Sequence, residues 1–88
     1  MKVEYRKRFL KELASIPSPI RAHIESLVFA EIPAIDSITQ SGNIEHLKGY
    51  KGYYKIRVGE YRIGLKFDGK TIIFERVLHR KEIYRYFP

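Results

Sequence analysis

The chain has 88 residues, no cysteine, and 17 lysine and arginine residues against 10 aspartate and glutamate residues, a net charge of +7. This length fits one thin-cored domain over residues 1–88, and the absence of cysteine excludes disulfides, thiol nucleophiles and thiolate metal sites. No apolar run approaches the ~20 residues that span a bilayer. We therefore expect a cytoplasmic protein. Its charge favours attraction to nucleic acid, to an acidic protein partner or to an anionic membrane surface, and the alternative is a soluble protein that is basic without such a partner. No cofactor and no membrane partner are expected.

The N-terminal part is predicted to contain a short strand and two helices. Residues 2–5 (KVEY) fit a strand, and apolar residues recur at helical spacing over residues 6–16. Ser18 is expected to cap a second helix that has Pro19 at its first position, and Pro33 is expected to end or kink it. Two helices joined by a short loop form a helical hairpin.

The C-terminal part is predicted to be a three-stranded meander. Residues 36–52 are polar and indicate a connection, after which Gly59-Glu60 and Asp68-Gly69 fit two-residue hairpin turns. The fold class is therefore predicted to be α+β. An antiparallel sheet combines the short N-terminal strand with the meander, and the two-helix hairpin packs on one face.

These turns imply a register for the three strands. One face aligns Tyr54 with Leu65 and Ile72, Ile56 with Ile63 and Phe74, and Val58 with Tyr61 and Arg76; it should receive the helices. The other face aligns Tyr53 with Lys66 and Thr71, Lys55 with Gly64 and Ile73, and Arg57 with Arg62 and Glu75. The second face is therefore predicted to be strongly basic.

The basic face contains a pair of like charges that should destabilise the sheet. Arg57 and Arg62 are directly opposed on neighbouring strands, which costs stability even if Glu75 offsets part of the repulsion. Gly64 is expected to leave room for a ligand above Lys55. We hypothesise that this cluster is an anion site, and the alternative is a solvated basic face.

Two stretches, LKGYKGYYKIRVGEYRIGLKF and VLHRKEIYRYF, resemble the RelE/ParE superfamily of toxins from type II toxin–antitoxin modules. The chain is most similar to RelE-like mRNA interferases. The resemblance implies a small α+β domain that enters the ribosomal A site and cuts messenger RNA there without a metal. In that reaction the ribose 2′-OH attacks the adjacent phosphate and the 5′-oxygen leaves. It also implies a partner antitoxin encoded by an adjacent gene.

The resemblance also implies the catalytic set. The matching positions are Lys55, Arg57, Arg62, His79, Arg80 and Tyr84. Arg62 is assigned to stabilising charge on the phosphate. Lys55 is a candidate general base if neighbouring arginines depress its pKa. Arg80 or His79 would support the leaving oxygen, and His79 is chemically the easier proton donor.

The remaining candidates are expected to hold RNA, and the aromatic and histidine residues also have structural alternatives. Lys48, Lys51, Tyr53, Lys66 and Lys81 are predicted to be RNA-binding residues, and Tyr84 is predicted to stack on a base or orient the phosphate. Tyr84 and the nearby Tyr86 and Phe87 equally fit core packing or a docking strip. The less favoured alternative for His79 and Arg80 is that they only end a strand. His23 and His46 have no metal-site spacing and are interpreted as structural or solvated.

Two other functions stay open from the sequence. A ParE-like member would inhibit DNA gyrase without cutting RNA, and a degenerate member would bind RNA without catalysis. The presence of Lys55, Arg57, Arg62 and Arg80 together favours the endoribonuclease.

Overall fold

The computed structural model describes residues 1–88. Strand β1 (Lys2–Tyr5) is followed by helices α1 (Lys7–Ala14) and α2 (Ile20–Ser26). The helical run continues through a π-helical turn (Leu27–Glu31) and a 3-10 turn (Ile32–Ala34). After a further 3-10 turn (Ile38–Gln40) come strands β2 (Ile44–His46), β3 (Tyr53–Val58), β4 (Tyr61–Phe67) and β5 (Thr71–His79), and helix α3 (Ile83–Tyr86). No helix is both long enough and apolar enough to cross a bilayer.

The helical hairpin agrees with the prediction except at one cap. The run that begins with α2 ends at Ala34, directly after Pro33, as expected because proline lacks the backbone N–H that a longer helix needs. Ser18 does not cap α2. Pro19 is the N-cap residue, and the Ser18 hydroxyl accepts a hydrogen bond from Arg21 Nη2 at 3.4 Å.

The sheet has five strands in the order β1-β5-β4-β3-β2. The meander β3-β4-β5 is antiparallel as predicted, but β1 pairs in parallel with β5, so the sheet is mixed rather than purely antiparallel. Strand β2 lies inside the segment expected to be a connection. Its three residues are too few to give an alternating pattern in the sequence.

One face of the sheet receives the helices and forms the main core. Phe9 and Leu13 of α1 and Ile24 of α2 pack there against buried side chains of the central strands. The sheet contributes Ile56, Val58, Ile63, Leu65, Ile72, Phe74 and Val77. Most of these residues are 0–1% exposed. The helical hairpin therefore covers one face of the sheet, and the candidate site residues on β3 and β4 lie on the other face.

The predicted register is confirmed between β3 and β4 and wrong between β4 and β5. Val58 pairs with Tyr61 across the Gly59-Glu60 turn. In the second hairpin the Asp68 carboxylate accepts from the backbone N–H groups of Lys70 and Thr71 at 2.9 and 2.8 Å. Gly69 follows with φ +96°. The turn is therefore centred on Gly69-Lys70, one residue later than predicted, which moves the pairing by two residues.

A β-bulge in β5 adds a further shift. Leu65 pairs with Phe74 but Gly64 pairs with Arg76, so Glu75 is an extra residue in the strand. Val77, not Arg76, therefore enters the core beside Ile63. The prediction that Arg76 aligns with Tyr61 on the helix face is wrong, because a two-residue pleat cannot be counted across a bulge.

Candidate functional site

The predicted basic face is present opposite the helices. Lys55 pairs with Gly64, and Arg57 pairs with Arg62 on the next row. Ile56, Val58 and Ile63 alternate with these residues and are buried on the helix side. Strand alternation therefore places the three cations on the other face.

The two neighbouring arginines avoid each other by using different partners. Arg57 Nε lies 3.3 Å from Glu45 on edge strand β2. Arg62 Nη1 donates to the backbone carbonyls of Gly59 and Tyr61 at 2.8 and 2.9 Å. Glu75, expected beside them, is paired with Arg6 at 3.2 Å instead because of the β5 register. Arg62 is thus anchored through one nitrogen, and Nε and Nη2 have no protein partner.

Helix α3 brings a tyrosine to the centre of the basic face. Ile83 is 1% exposed and anchors the helix. Lys55 Nζ donates to the Tyr84 hydroxyl at 3.0 Å and lies 5.5 Å from the centre of its ring. Tyr86 instead lies against Arg76, 5.2 Å from the guanidinium carbon. Of the two tyrosines, the structure places Tyr84 beside the candidate base.

His79 and Arg80 converge on a residue that the sequence did not single out. Arg80 Nε donates to Glu60 Oε2 at 2.5 Å, and His79 Nε2 lies 4.0 Å from the same oxygen. The hydrogen bond from Arg80 and its charge lower the pKa of Glu60 below its usual value, and His79 and Arg62 add smaller effects in the same direction. Two candidate catalytic residues, His79 and Arg80, therefore lie against one carboxylate. A glutamate in a tight turn gives no sequence signal of this role.

The space above Gly64 is not open to a ligand. A Cβ built on Gly64 would lie 2.7 Å from ring atoms of Phe87. Phe87 packs with Leu47 and Ile83 in a second small cluster on the basic face, flanked by Tyr53 and Leu78. The predicted ligand clearance is therefore wrong, because the aromatic segment after α3 folds back over the glycine.

Two of the predicted RNA-binding residues, Tyr53 and Lys66, lie on paired strands of the sheet. Lys66 Nζ lies 5.3 Å from the centre of the Tyr53 ring, so these two form a pair at the end of the sheet away from Glu60. The side chains of Lys48, Lys51 and Lys81 are exposed and have no carboxylate within 4.0 Å. No three histidine, aspartate or glutamate side chains lie close enough together to hold a metal ion.

Comparison with known proteins agrees with this architecture. A family model described as the ParE toxin of the type II toxin-antitoxin system parDE matches residues 3–84. The chain is 49% identical to Toxin RelE3 of Methanocaldococcus jannaschii over the full length of both chains. It is 29% identical to Putative toxin RelE1 of the same organism, over 94% of this chain and 93% of the relative.

Solved structures give the same assignment. The toxin chain of a RelB-RelE antitoxin-toxin complex from Methanococcus jannaschii superposes with a TM-score of 0.79 and 46% identity, covering 97% of this chain and 99% of that one. The isolated Escherichia coli RelE toxin has the same fold, with a TM-score of 0.66 and 21% identity over 96% and 90% of the two chains. The chain therefore belongs to the RelE/ParE family and is a toxin of a type II toxin–antitoxin system.

Proposed function

We propose that this toxin is a ribosome-dependent endoribonuclease that cleaves messenger RNA in the ribosomal A site. The observation that supports the proposal is the grouping of Lys55, Tyr84, Arg62 and Arg80 on one face, with Lys55 and Arg62 free of any carboxylate partner within 4.0 Å. Cations without a counterion in a fixed arrangement suit a phosphodiester whose charge increases during reaction.

The proposed reaction is an internal transfer at phosphorus. The 2′-oxygen forms a bond to the adjacent phosphorus while the bond from phosphorus to the 5′-oxygen breaks. The 2′-OH proton passes to a base, and a proton is supplied to the 5′-oxygen. The products are a 2′,3′-cyclic phosphate and a 5′-hydroxyl end.

Lys55 and Tyr84 are proposed to act at the 2′-OH. Their 3.0 Å hydrogen bond holds the amine beside the phenol, so a ribose placed over them has both groups within proton-transfer reach. The exposed ring of Tyr84 offers a surface on which a base can stack.

Arg62, Arg80 and His79 are proposed to act at the phosphate and the leaving oxygen. Arg62 has Nε and Nη2 available for a two-point contact with the phosphate oxygens while Nη1 is anchored on the turn. Arg80 and His79 share the Glu60 carboxylate, and His79 is the group that can transfer a proton near neutral pH. Arg57 is paired with Glu45. It is proposed to bind RNA or to act in catalysis once this ion pair has opened.

The test is cleavage of a defined message in a translating extract, with RNA ends mapped by primer extension. We expect cuts within the open reading frame that disappear with Arg62→Ala and persist with the matched exposed-surface variant Lys70→Ala. A message with a 2′-deoxyribose at a mapped position should resist cleavage there. Intact message at saturating toxin would refute the proposal. If the same toxin preparation also inhibited DNA supercoiling by gyrase, the ParE-like activity would be established instead.

We also propose that an antitoxin protein covers this toxin. The related Methanococcus jannaschii and Pyrococcus horikoshii toxins are seen with RelB antitoxins, and the net charge of +7 favours rapid association with an acidic segment. Co-expression with the neighbouring gene should restore growth and yield a stable complex on purification.

A further inference from the structure

A cavity of about 280 Å³ opens at the sheet edge where α1 begins, and none of the residues proposed to act in cleavage lines it. Its lining consists of Arg6, Lys7, Arg8, Glu75 and Arg76, which we call the α1–β5 edge site. Four of the five side chains are cationic and none is apolar, so the site has a net charge of +3. Such a surface suits an anion and not an apolar ligand.

Two cations in this site have no ionic partner. Arg6 Nε lies 3.2 Å from Glu75, whereas Lys7 and Arg8 have no carboxylate within 4.0 Å. The first turn of α1 also contains no acidic residue. Within the protein, Glu75 offsets the charge of Arg6 and Glu12 offsets that of Arg76, so Lys7 and Arg8 carry the uncompensated positive charge of the site.

One wall of the site is rigid. Arg76 forms two contacts with the Glu12 carboxylate, at 2.6 Å from Nη2 and 3.0 Å from Nε, and both side chains are only about 15% exposed. The centre of the Tyr86 ring lies 5.2 Å from the guanidinium carbon. Because Glu12 and Tyr86 both hold Arg76, a ligand meets it without ordering a flexible side chain.

The edge site continues the proposed cleavage face. Arg76 pairs with Gly64, which pairs with Lys55, so the two sites share one row of the sheet. Two strand spacings separate them, about 10 Å. Tyr86, 49% exposed, lies against Arg76 and belongs to the same short helix, α3, as Tyr84. This arrangement of alternating cations and exposed aromatic rings is typical of single-strand tracks.

We propose that the α1–β5 edge site binds the phosphodiester backbone of the single-stranded RNA whose scissile phosphate occupies the Lys55–Arg62 face. This inference rests on the proposed function for the choice of RNA as the polyanion. The site positions the strand and takes no part in the bond changes. Binding at the site is sequence-independent, because its cations contact phosphate oxygens and not base edges.

The test measures binding of a fluorescein-labelled 12-nucleotide 2′-O-methyl RNA, which has no attacking hydroxyl, by anisotropy over a range of salt concentrations. The variant Lys7→Gln/Arg8→Gln removes the two unpaired cations, and Lys2→Gln/Lys70→Gln is the charge-matched control. The control pair lies about five residues away along β5, about 17 Å.

We expect the edge variant to bind about tenfold more weakly at ~0.1 M salt, with the salt slope reduced by about 1.4, since each single-strand phosphate contact contributes about 0.7. In the control variant the reduction in salt slope should be less than half of the reduction in the edge variant. Glu75→Gln removes the only carboxylate in the site and should bind more tightly than the wild-type chain. This opposite sign cannot arise from misfolding.

Equal losses in the edge and control variants would overturn the proposal, because they would reflect bulk charge alone. Unchanged oligonucleotide binding with weakened binding to ribosomes or to the antitoxin would also overturn it, and would assign the site to that partner. The cleavage proposal fails on a different result, namely intact message with the wild-type toxin. Because the 2′-O-methyl RNA cannot be cleaved, the binding assay does not depend on that result.

Discussion

The backbone N–H of Arg80 donates to the carbonyl oxygen of Glu60 at 2.7 Å while its side chain donates to the Glu60 carboxylate. The main-chain bond continues the ladder one step beyond the Tyr61–His79 pair. Arg80 is therefore placed by the sheet itself, and its side chain is held by the Glu60 carboxylate. The ion pair is half-exposed, so exchanging Glu60 for another anion would cost little.

Removing Arg80 should raise the pKa of Glu60. In the wild-type chain the hydrogen bond and charge of Arg80 hold this pKa below its usual value of 4.5, so the carboxylate contributes stability above that value and loses it as the pH falls through the lowered pKa. An NMR titration of the Glu60 side-chain carboxyl carbon should show the increase in Arg80→Ala and a smaller one in His79→Ala. An unchanged titration midpoint in Arg80→Ala would contradict the ion pair.

Tyr84→Phe should slow cleavage without weakening the fold. The substitution removes only the hydroxyl that accepts from Lys55, and Tyr84 is 57% exposed. If the hydroxyl takes part in proton transfer, we expect a loss of roughly 10²-fold in single-turnover rate. Tyr86→Phe is the control and should retain the wild-type rate, because the Tyr86 ring contacts Arg76 rather than Lys55. Equal losses in both variants would refute the assignment.

Gly64→Ala should destabilise the fold by driving a methyl group into the Phe87 ring, which is only 4% exposed. We expect a decrease of about 1–3 kcal/mol in the free energy of unfolding by urea denaturation. The control Gly42→Ala meets no atom within 4 Å and should be close to neutral. Combining Gly64→Ala with Phe87→Leu should cost less than the sum of the single changes. Additive costs would mean that the two residues do not touch.

Glu12→Gln should also destabilise the fold. Glu12 accepts from Arg76 and from the backbone N–H of Val77, at a point where β5 extends beyond its pairing with β1. Neutralising this poorly exposed carboxylate leaves Arg76 without its counterion, and we expect a cost of about 2 kcal/mol. Glu4→Gln, on an exposed position of β1, should change the unfolding midpoint little. A similar midpoint for both variants would show that the Arg76 pair adds no stability.

The sequence predicted the parts of the fold that depend on local signals. Hydrophobic spacing predicted the helical hairpin, and Gly59 in its turn predicted the β3–β4 register, which placed Lys55, Arg57 and Arg62 on one face. The second hairpin was predicted one residue early, because the Asp68 side chain caps the turn and leaves Gly69 as its first central residue.

Local sequence signals do not predict the long-range contacts. No local sequence pattern indicates that Phe87 packs over Gly64, or that His79 and Arg80 both lie against Glu60. Both depend on how the chain returns after β5. The catalytic roles themselves stay predictions, since they rest on the family resemblance and on the geometry around Lys55.

The bulge at Glu75 affects how this chain should be aligned with its relatives. Deleting Glu75 would leave Phe74 opposite Leu65 and Arg76 opposite Gly64, so both halves of β5 would keep their pairings. A relative with one residue fewer between the hairpin and the basic end of this strand can therefore hold the same site in space. An alignment that allows no gap at this position would mismatch Val77, His79 and Arg80 with their structural equivalents.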